Sequence, residues 1–158
     1  MVDPNIGMMV EHTLKLNKMK ISAGVIIVLG GDKLFICHPT SAKWYGSYSF
    51  PKGGVEEGET EIDAAIRELL EETSVSINRN QLSSKPLIVD YGDKNGVIYK
   101  KVYLYTLNIN NVSEIGLDSE IVPKKKLQIT EVDWAGFVDK EEASRRLFHR
   151  FIQILDKI

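Results

Sequence analysis

Residues 53–75, GGVEEGETEIDAAIRELLEETSV, constrain this chain more than any other stretch of it. The second half is patterned for a helix. At about 100° per residue, with Ile62 at 0°, the apolar Ile62, Ala65, Ile66, Leu69 and Leu70 fall within about 140° of arc. Glu68, Glu71 and Glu72 fall at roughly 180° to 280°, on the other side. One face is expected to be buried, and the opposite face to gather three carboxylates. Thr60 is the expected N-cap, with Asp63 as a shortened capping-box acid, so the helix should start near Glu61 and end near Thr73. Like charges this close repel by a few tenths of a kcal/mol per pair on an exposed helix. A cation would offset that repulsion, and hard divalent ions prefer carboxylate oxygen, so the pattern points to a magnesium site.

At 158 residues the chain is expected to be one domain that buries about two-thirds of its unfolded surface. Its net charge of −2 creates no global field towards nucleic acid or anionic membrane. The single cysteine, Cys37, cannot form an internal disulfide and reads as a small buried hydrophobe. No apolar run reaches the roughly 18 to 20 residues needed to span a bilayer, so no membrane association is expected. The first twenty residues lack the apolar core and cleavage site of a signal peptide, which makes a cytoplasmic protein the default.

Residues 1–19 read as an extension or a short peripheral strand, and residues 20–158 as the folded domain. The β-branched run 21–29 predicts a buried strand, followed by a Gly30-Gly31-Asp32 turn and a hairpin partner over 33–38. Residues 39–52 are expected to be a loop. Strands are expected over 87–91 and 97–107, separated by the turn signal 92–96. Residues 110–128 read as a long polar loop, of a length more often functional or mobile than structural. A strand over 131–138 leads to Asp139 and Glu142, a capping box for a final helix over 140–156. That helix carries an apolar stripe of Ala143, Leu147, Phe151 and Leu155, and a basic, solvated face of Arg145, Arg146, His149 and Arg150. Strands interleaved with helices in this order predict a mixed sheet covered by helices.

Gly53, Glu59, Arg67, Glu68, Glu71 and Glu72 together resemble the Nudix box, G-x5-E-x7-R-E-U-x-E-E-x-G-U with U aliphatic. Six fixed residues at about 6% frequency each would coincide by chance at roughly 10⁻⁷ to 10⁻⁸ per register. One position departs: Ser74 stands where the family has glycine. Serine in a left-handed cap costs on the order of 1 kcal/mol, so slightly altered helix termination is expected, without loss of activity.

The resemblance implies an α/β fold, a Nudix-type α/β/α sandwich with a central mixed β-sheet. It implies hydrolysis, at a pyrophosphate bond, of a nucleoside diphosphate linked to another group, with Mg²⁺ as cofactor and Mn²⁺ as a substitute. Water attacking a phosphorus that carries several negative oxygens needs that charge neutralised and the water deprotonated, which clustered magnesium ions supply. By carry-over, Glu68, Glu71 and Glu72 are the metal carboxylates, with Glu68 a further candidate for orienting or deprotonating the water. Glu59 is a supporting ligand or water anchor, and the Lys52 carbonyl is an added ligand. Arg67, one turn before Glu71, is expected to orient the acids. Ala64, on the carboxylate face, leaves room for phosphate. Relatives often recruit one more carboxylate from a distant loop. Glu131, at the start of a late strand, is the first choice, ahead of Glu114, Asp118 and Glu120.

The run Phe50-Pro51-Lys52-Gly53 resembles subgroups acting on dinucleoside polyphosphates, diphosphoinositol polyphosphates or RNA 5′ ends. Lys52 is a candidate phosphate contact, and Trp44, Tyr45, Tyr48 and Tyr91 are candidates for stacking a nucleobase. Lys124, Lys125 and Lys126 add local positive charge suited to a polyphosphate tail or an RNA backbone, though basic triplets are usually solubilising. His12 and His38 lack a second ligand at metal spacing and read as structural. A dinucleoside polyphosphate of the diadenosine tetraphosphate type is the leading substrate. ADP-ribose, NADH, (d)NTPs and the 5′ end of RNA are the alternatives, RNA being the less favoured partner. A non-catalytic nucleotide-sensing domain is the reading from a different class. No oligomeric state is read from the chain.

Overall fold

In the computed structural model, which describes residues 19–158, the apolar run 21–29 becomes the central strand of a mixed six-stranded sheet. The strands are β1 (Lys20–Leu29), β2 (Lys33–Pro39), β3 (Lys52–Gly54), β4 (Leu87–Gly92), β5 (Ile98–Ile109) and β6 (Val132–Asp139). Their order is β4-β5-β1-β2-β6, with the short β3 also paired to β1. β1 and β5 run parallel, from Lys20 opposite Lys100 to Leu29 opposite Ile109, and the other pairs are antiparallel. The extension expected over 1–19 falls, apart from Met19, outside the described residues, as does His12.

Side chains of β1 alternate between two cores, as the pleat requires. Ala23, Val25, Ile27 and Leu29 pack with Ala64, Ala65 and Leu69 of helix α1 (Glu61–Thr73). Ile26 and Val28 pack on the other face with Phe50, Leu147 and Phe151. Helices therefore cover both faces of a mixed sheet, as the element order implied, in the α/β/α arrangement that the resemblance implied. Thr60 caps α1, its hydroxyl accepting from Asp63 N at 3.2 Å.

Several expectations need correction. The buried face of α1 is rotated by roughly 60° from the purely apolar stripe towards the carboxylates. Ala64 is fully buried in the core and offers no room for phosphate, while Leu70 is 49% exposed. The rotation arises because Ala64 and Ala65 let the helix approach the sheet closely, which turns Glu68 and Glu72 inward.

Residues 110–128 are also more ordered than a polar loop. They contain 3₁₀ turns at Val112–Ile115 and Lys124–Lys126, and Ile115, Leu117, Val122 and Leu127 are buried. The final helix is broken: α2 spans Lys140–Arg146 and α3 spans His149–Ile152, with a 3₁₀ turn at Leu155–Lys157. Between the helices Leu147 is extended (φ −66°, ψ 146°) and forms a parallel bridge with Tyr48. Tyr48 N donates to Arg146 O and Phe148 N to Tyr48 O, both at 2.9 Å, so tertiary hydrogen bonds replace the next helical turn. Asp139 does cap α2, accepting from Glu142 N at 2.7 Å. The Glu142 carboxylate does not return to the cap; it takes Arg145 and Arg146.

The basic face is correspondingly less solvated than expected. Arg146 lies 5.2 to 5.5 Å from the ring centroids of Trp44, Tyr48 and Trp134, and Arg150 lies 4.8 Å from that of Tyr91.

Candidate active site

The site is built where β3 and α1 meet, and two glycines make that approach possible. A Cβ on Gly24 would stand 2.3 Å from Pro51 O, so only glycine lets β3 lie against β1 there. A Cβ on Gly53 would stand 2.1 Å from the Glu68 carboxyl carbon. The Glu68 head group thus occupies the space a side chain at position 53 would fill.

Arg67 gathers the box. Its Nε and Nη2 donate to the two oxygens of Glu59 at 2.8 and 3.0 Å, and Nη2 also donates to Gly54 O at 2.9 Å. Nη1 donates to Glu68 at 3.0 Å and to Glu71 at 3.2 Å. This bidentate, shared arrangement ties the loop to the helix and raises the guanidinium pKa further, chiefly through Glu59. Glu59 has both oxygens engaged by Arg67 and is held below its ordinary pKa by that contact.

Lys52, Gly53, Gly54, Glu68, Glu71, Glu72, Gln128 and Glu131 line a cleft of about 320 Å³. A second hollow of about 180 Å³ shares Lys52, Glu72 and Glu131, with Cys37 and Phe50 among its walls. The fold therefore brings Glu131 to the box acids. Glu120 instead pairs with Lys33 at 2.8 Å, and Asp118 and Glu120 line a separate hollow. Glu114 caps the turn at Asn111 through backbone N–H groups.

Burial, and then the charge of Glu68, push the Glu72 carboxyl up to about 8. Burial likewise raises Glu68, against the pull of Arg67. Lys52 is lowered to about 8, first by burial and then by the positive charge of Lys100 beside it. Lys100 is itself lowered, chiefly by burial. The Lys100 ammonium lies 5.0 Å from the Tyr91 centroid, so Tyr91 sits between Lys100 and Arg150. Lys100 and Gln128 escape a reading of the sequence, and Arg150 is read there only as part of a solvated basic face. The signal for Lys100 lies in the pleat, since it pairs with Tyr91 across the β4–β5 ladder while Lys101 pairs with Asp90.

The aromatic candidates part company. Trp44 and Tyr45 are exposed, at 48% and 56%, and line neither hollow. Trp44 packs on His38 and Tyr48, with ring centroids 5.5 Å apart in each case. Tyr48 is fully buried and cannot stack a ligand. His38 is structural: Nδ1 meets Asp133 at 2.5 Å, and Nε2 meets the carbonyls of Ala42 and Lys43 at 3.1 and 3.0 Å. Cys37 is buried, with its thiol pushed well up by that burial.

The residues fit a divalent cation. Glu68, Glu71, Glu72 and Glu131 supply hard oxygen donors around one cleft, and burial of like charges at Glu68 and Glu72 favours a positive partner. Among the described residues no three His, Cys, Asp or Glu side chains form a ready-made coordination group, since Glu68 and Glu71 turn to Arg67.

A model of the NUDIX domain matches residues 18–151, and the chain belongs to that family. An RNA pyrophosphohydrolase from Erythrobacter litoralis (strain HTCC2594) is 41% identical over 54 residues, 34% of this chain and 33% of that protein. The alignment thus spans about a third of that curated relative's length. The C. elegans Ap4A hydrolase in a binary complex superposes with a TM-score of 0.57 at 23% identity, covering 88% of this chain and 94% of that one. A MutT NUDIX hydrolase from Burkholderia pseudomallei gives a TM-score of 0.64 at 20% identity, covering 88% and 97%. These structural likenesses establish the fold. Among the described residues, no helix is long and apolar enough to cross a membrane.

Proposed function

We propose that residues 20–158 form a single Nudix hydrolase domain that cleaves a pyrophosphate bond in a nucleoside diphosphate linked to another group. The observation that carries this reading is the inward-facing pair Glu68 and Glu72. Two partly buried, mutually repelling carboxylates face a cleft whose wall bears Lys52. Glu68, Glu71 and Glu72 would hold Mg²⁺ or Mn²⁺, with Glu131 and the Lys52 carbonyl as further ligands. When bound, the metal neutralises the phosphate oxygens and makes a nucleophile of water at neutral pH.

The chain's own groups do the rest. Arg67 positions Glu68 and Glu71 and touches no substrate, and Glu59 acts through Arg67. Glu131, or Glu68, accepts the proton of the attacking water. Lys52 and Lys100 hold phosphate oxygens, whose negative charge relieves the repulsion between the two ammoniums. Tyr91 takes the base-stacking role ahead of Trp44 and Tyr45, because its ring lies against Lys100, the neighbour of Lys52, although none of the three lines the cleft itself. A dinucleoside polyphosphate of the diadenosine tetraphosphate type is the leading substrate, since the Lys52–Lys100 pair suits a run of phosphates. The 5′ end of RNA is the second reading, supported by the 41% identical segment in an RNA pyrophosphohydrolase. Substrate and metal both suit a cytoplasmic setting.

The test is product formation with Mg²⁺ from diadenosine polyphosphates, ADP-ribose, (d)NTPs, NADH and 5′-triphosphate RNA, comparing wild type with Glu72→Gln. The variant should lose at least about 100-fold, equivalent to ~2.7 kcal/mol of barrier, on every substrate the wild type turns over. Binding without hydrolysis by the wild type would replace the enzyme with a nucleotide sensor.

A further inference from the structure

The turn Lys124–Lys126 is bolted to the end of the box helix. Ser74 Oγ donates to Lys126 O at 2.6 Å, and Gln128 N donates to Glu72 O at 3.0 Å. Lys126 N to Pro123 O and Leu127 N to Lys124 O, at 2.9 and 3.1 Å, close the turn, and the Leu127 side chain is buried beneath it. The backbone is therefore fixed at the rim of the cleft, where Gln128 is a lining residue. The three side chains are exposed, and none of the ion pairs among the described residues includes them.

Three consecutive residues on a 3₁₀ turn point about 120° apart with about 2 Å of rise. Such side chains leave the turn in different directions, so their charges are spread and not preorganised around one phosphate. They match charges spread along a chain. The cleft itself is acidic, and its one lining cation, Lys52 on β3, has Lys100 of β5 beside it. A small nucleotide fits between those parts. Its charges would end at the cleft, whereas a strand of phosphodiesters leaving the cleft past Gln128 would meet the turn.

We propose that Lys124, Lys125 and Lys126 form an electrostatic landing for single-stranded RNA whose 5′-polyphosphate lies in the cleft. This rests on the hydrolase reading for the position of the 5′ end, and on the fold alone for the landing. The ligand chemistry is a polyphosphate followed by phosphodiesters, as at the start of a newly made RNA. Binding at such a surface depends on salt, each phosphate neutralised on a single strand adding a slope of about −0.7 in log K against log salt.

The experiment compares wild type, the triple variant Lys124→Ala/Lys125→Ala/Lys126→Ala, and the triple Lys→Arg variant. Binding of a labelled 5′-triphosphate RNA of about ten nucleotides, a length within the range small single-strand domains cover, is followed against salt. Turnover of that RNA and of diadenosine tetraphosphate is measured alongside. The alanine variant should lose about 10-fold or more in RNA affinity at low salt. Its slope should be shallower by about 2, since three phosphates are no longer neutralised. The arginine variant should keep both. Turnover of diadenosine tetraphosphate should stay within about 2-fold, because catalysis is untouched. An unchanged slope in the alanine variant, or equal losses on both substrates, overturns the proposal. If wild type hydrolyses nothing but its RNA binding still depends on the three lysines, the landing stands and the hydrolase reading falls.

Discussion

Serine in the left-handed region gives up about 1 kcal/mol relative to glycine, yet Ser74 sits there at φ 63° and ends α1 at the residue its sequence suggests. Its N–H bonds Leu70 O at 2.9 Å, as a glycine cap would, so helix termination is not altered as expected. The difference lies in the hydroxyl, which fastens the 124–126 turn. Ser74→Ala should therefore cost ~1 kcal/mol, keeping the strain and losing the bond, while Ser74→Gly should stay within about 0.5 kcal/mol of wild type, the two effects cancelling. Urea unfolding of the two variants checks this. The box acids are legible by spacing alone, but the inward turn of Glu72 is not. A helical wheel centred on apolar residues counts Leu70 as core, whereas packing is decided by how close the backbone can approach, and that is set by Ala64, Ala65 and Gly53.

At the level of elements, the break between α2 and α3 has the largest consequence. The pattern over 140–156 satisfies helical periodicity, and Leu147 and Phe151 do reach the core. Nothing local shows that Leu147 instead pairs with Tyr48, because that bridge joins segments a hundred residues apart. Arg146 consolidates it, bonding Glu142 at 2.8 Å and facing three aromatic rings. Arg146→Ala should destabilise the protein by ~1–2 kcal/mol and increase hydrogen exchange in residues 40–48 and 147–150 together. Exchange rising in only one of the two segments would show that they are not one unit. The 110–128 segment escaped for a related reason: its apolar residues are spaced irregularly, so they bury without any helix or strand period to announce them.

Taken as a whole, the molecule links its stability to protons through Glu72 and, on the proposed function, to metal as well. Folding raises this carboxyl from an ordinary value of 4.5 to about 8, chiefly by burial. Between those values the folded state holds a proton that the unfolded chain has released, so stability is greatest below the lower value and falls as pH rises through the upper one. In EDTA, thermal unfolding of wild type should weaken across that window, and Glu72→Gln should flatten the slope. If Glu72 holds Mg²⁺ as proposed, the ion has to displace that proton, so its stabilising shift should be larger at about pH 8.5 than at about pH 6. A pH-independent magnesium shift would remove Glu72 from the metal site. The mixed sheet and its helical covers followed from the element order, but the register of β1 against β5 did not. That register matters beyond geometry. The central ladder joins Lys20 to Lys100, and the cleft closes only with Glu131. Contacts so distant along the chain fold slowly. On the ribosome, the box helix emerges well before either partner, so the carboxylates stay an isolated acidic segment and the cleft is complete only once the chain beyond Glu131 has cleared the tunnel.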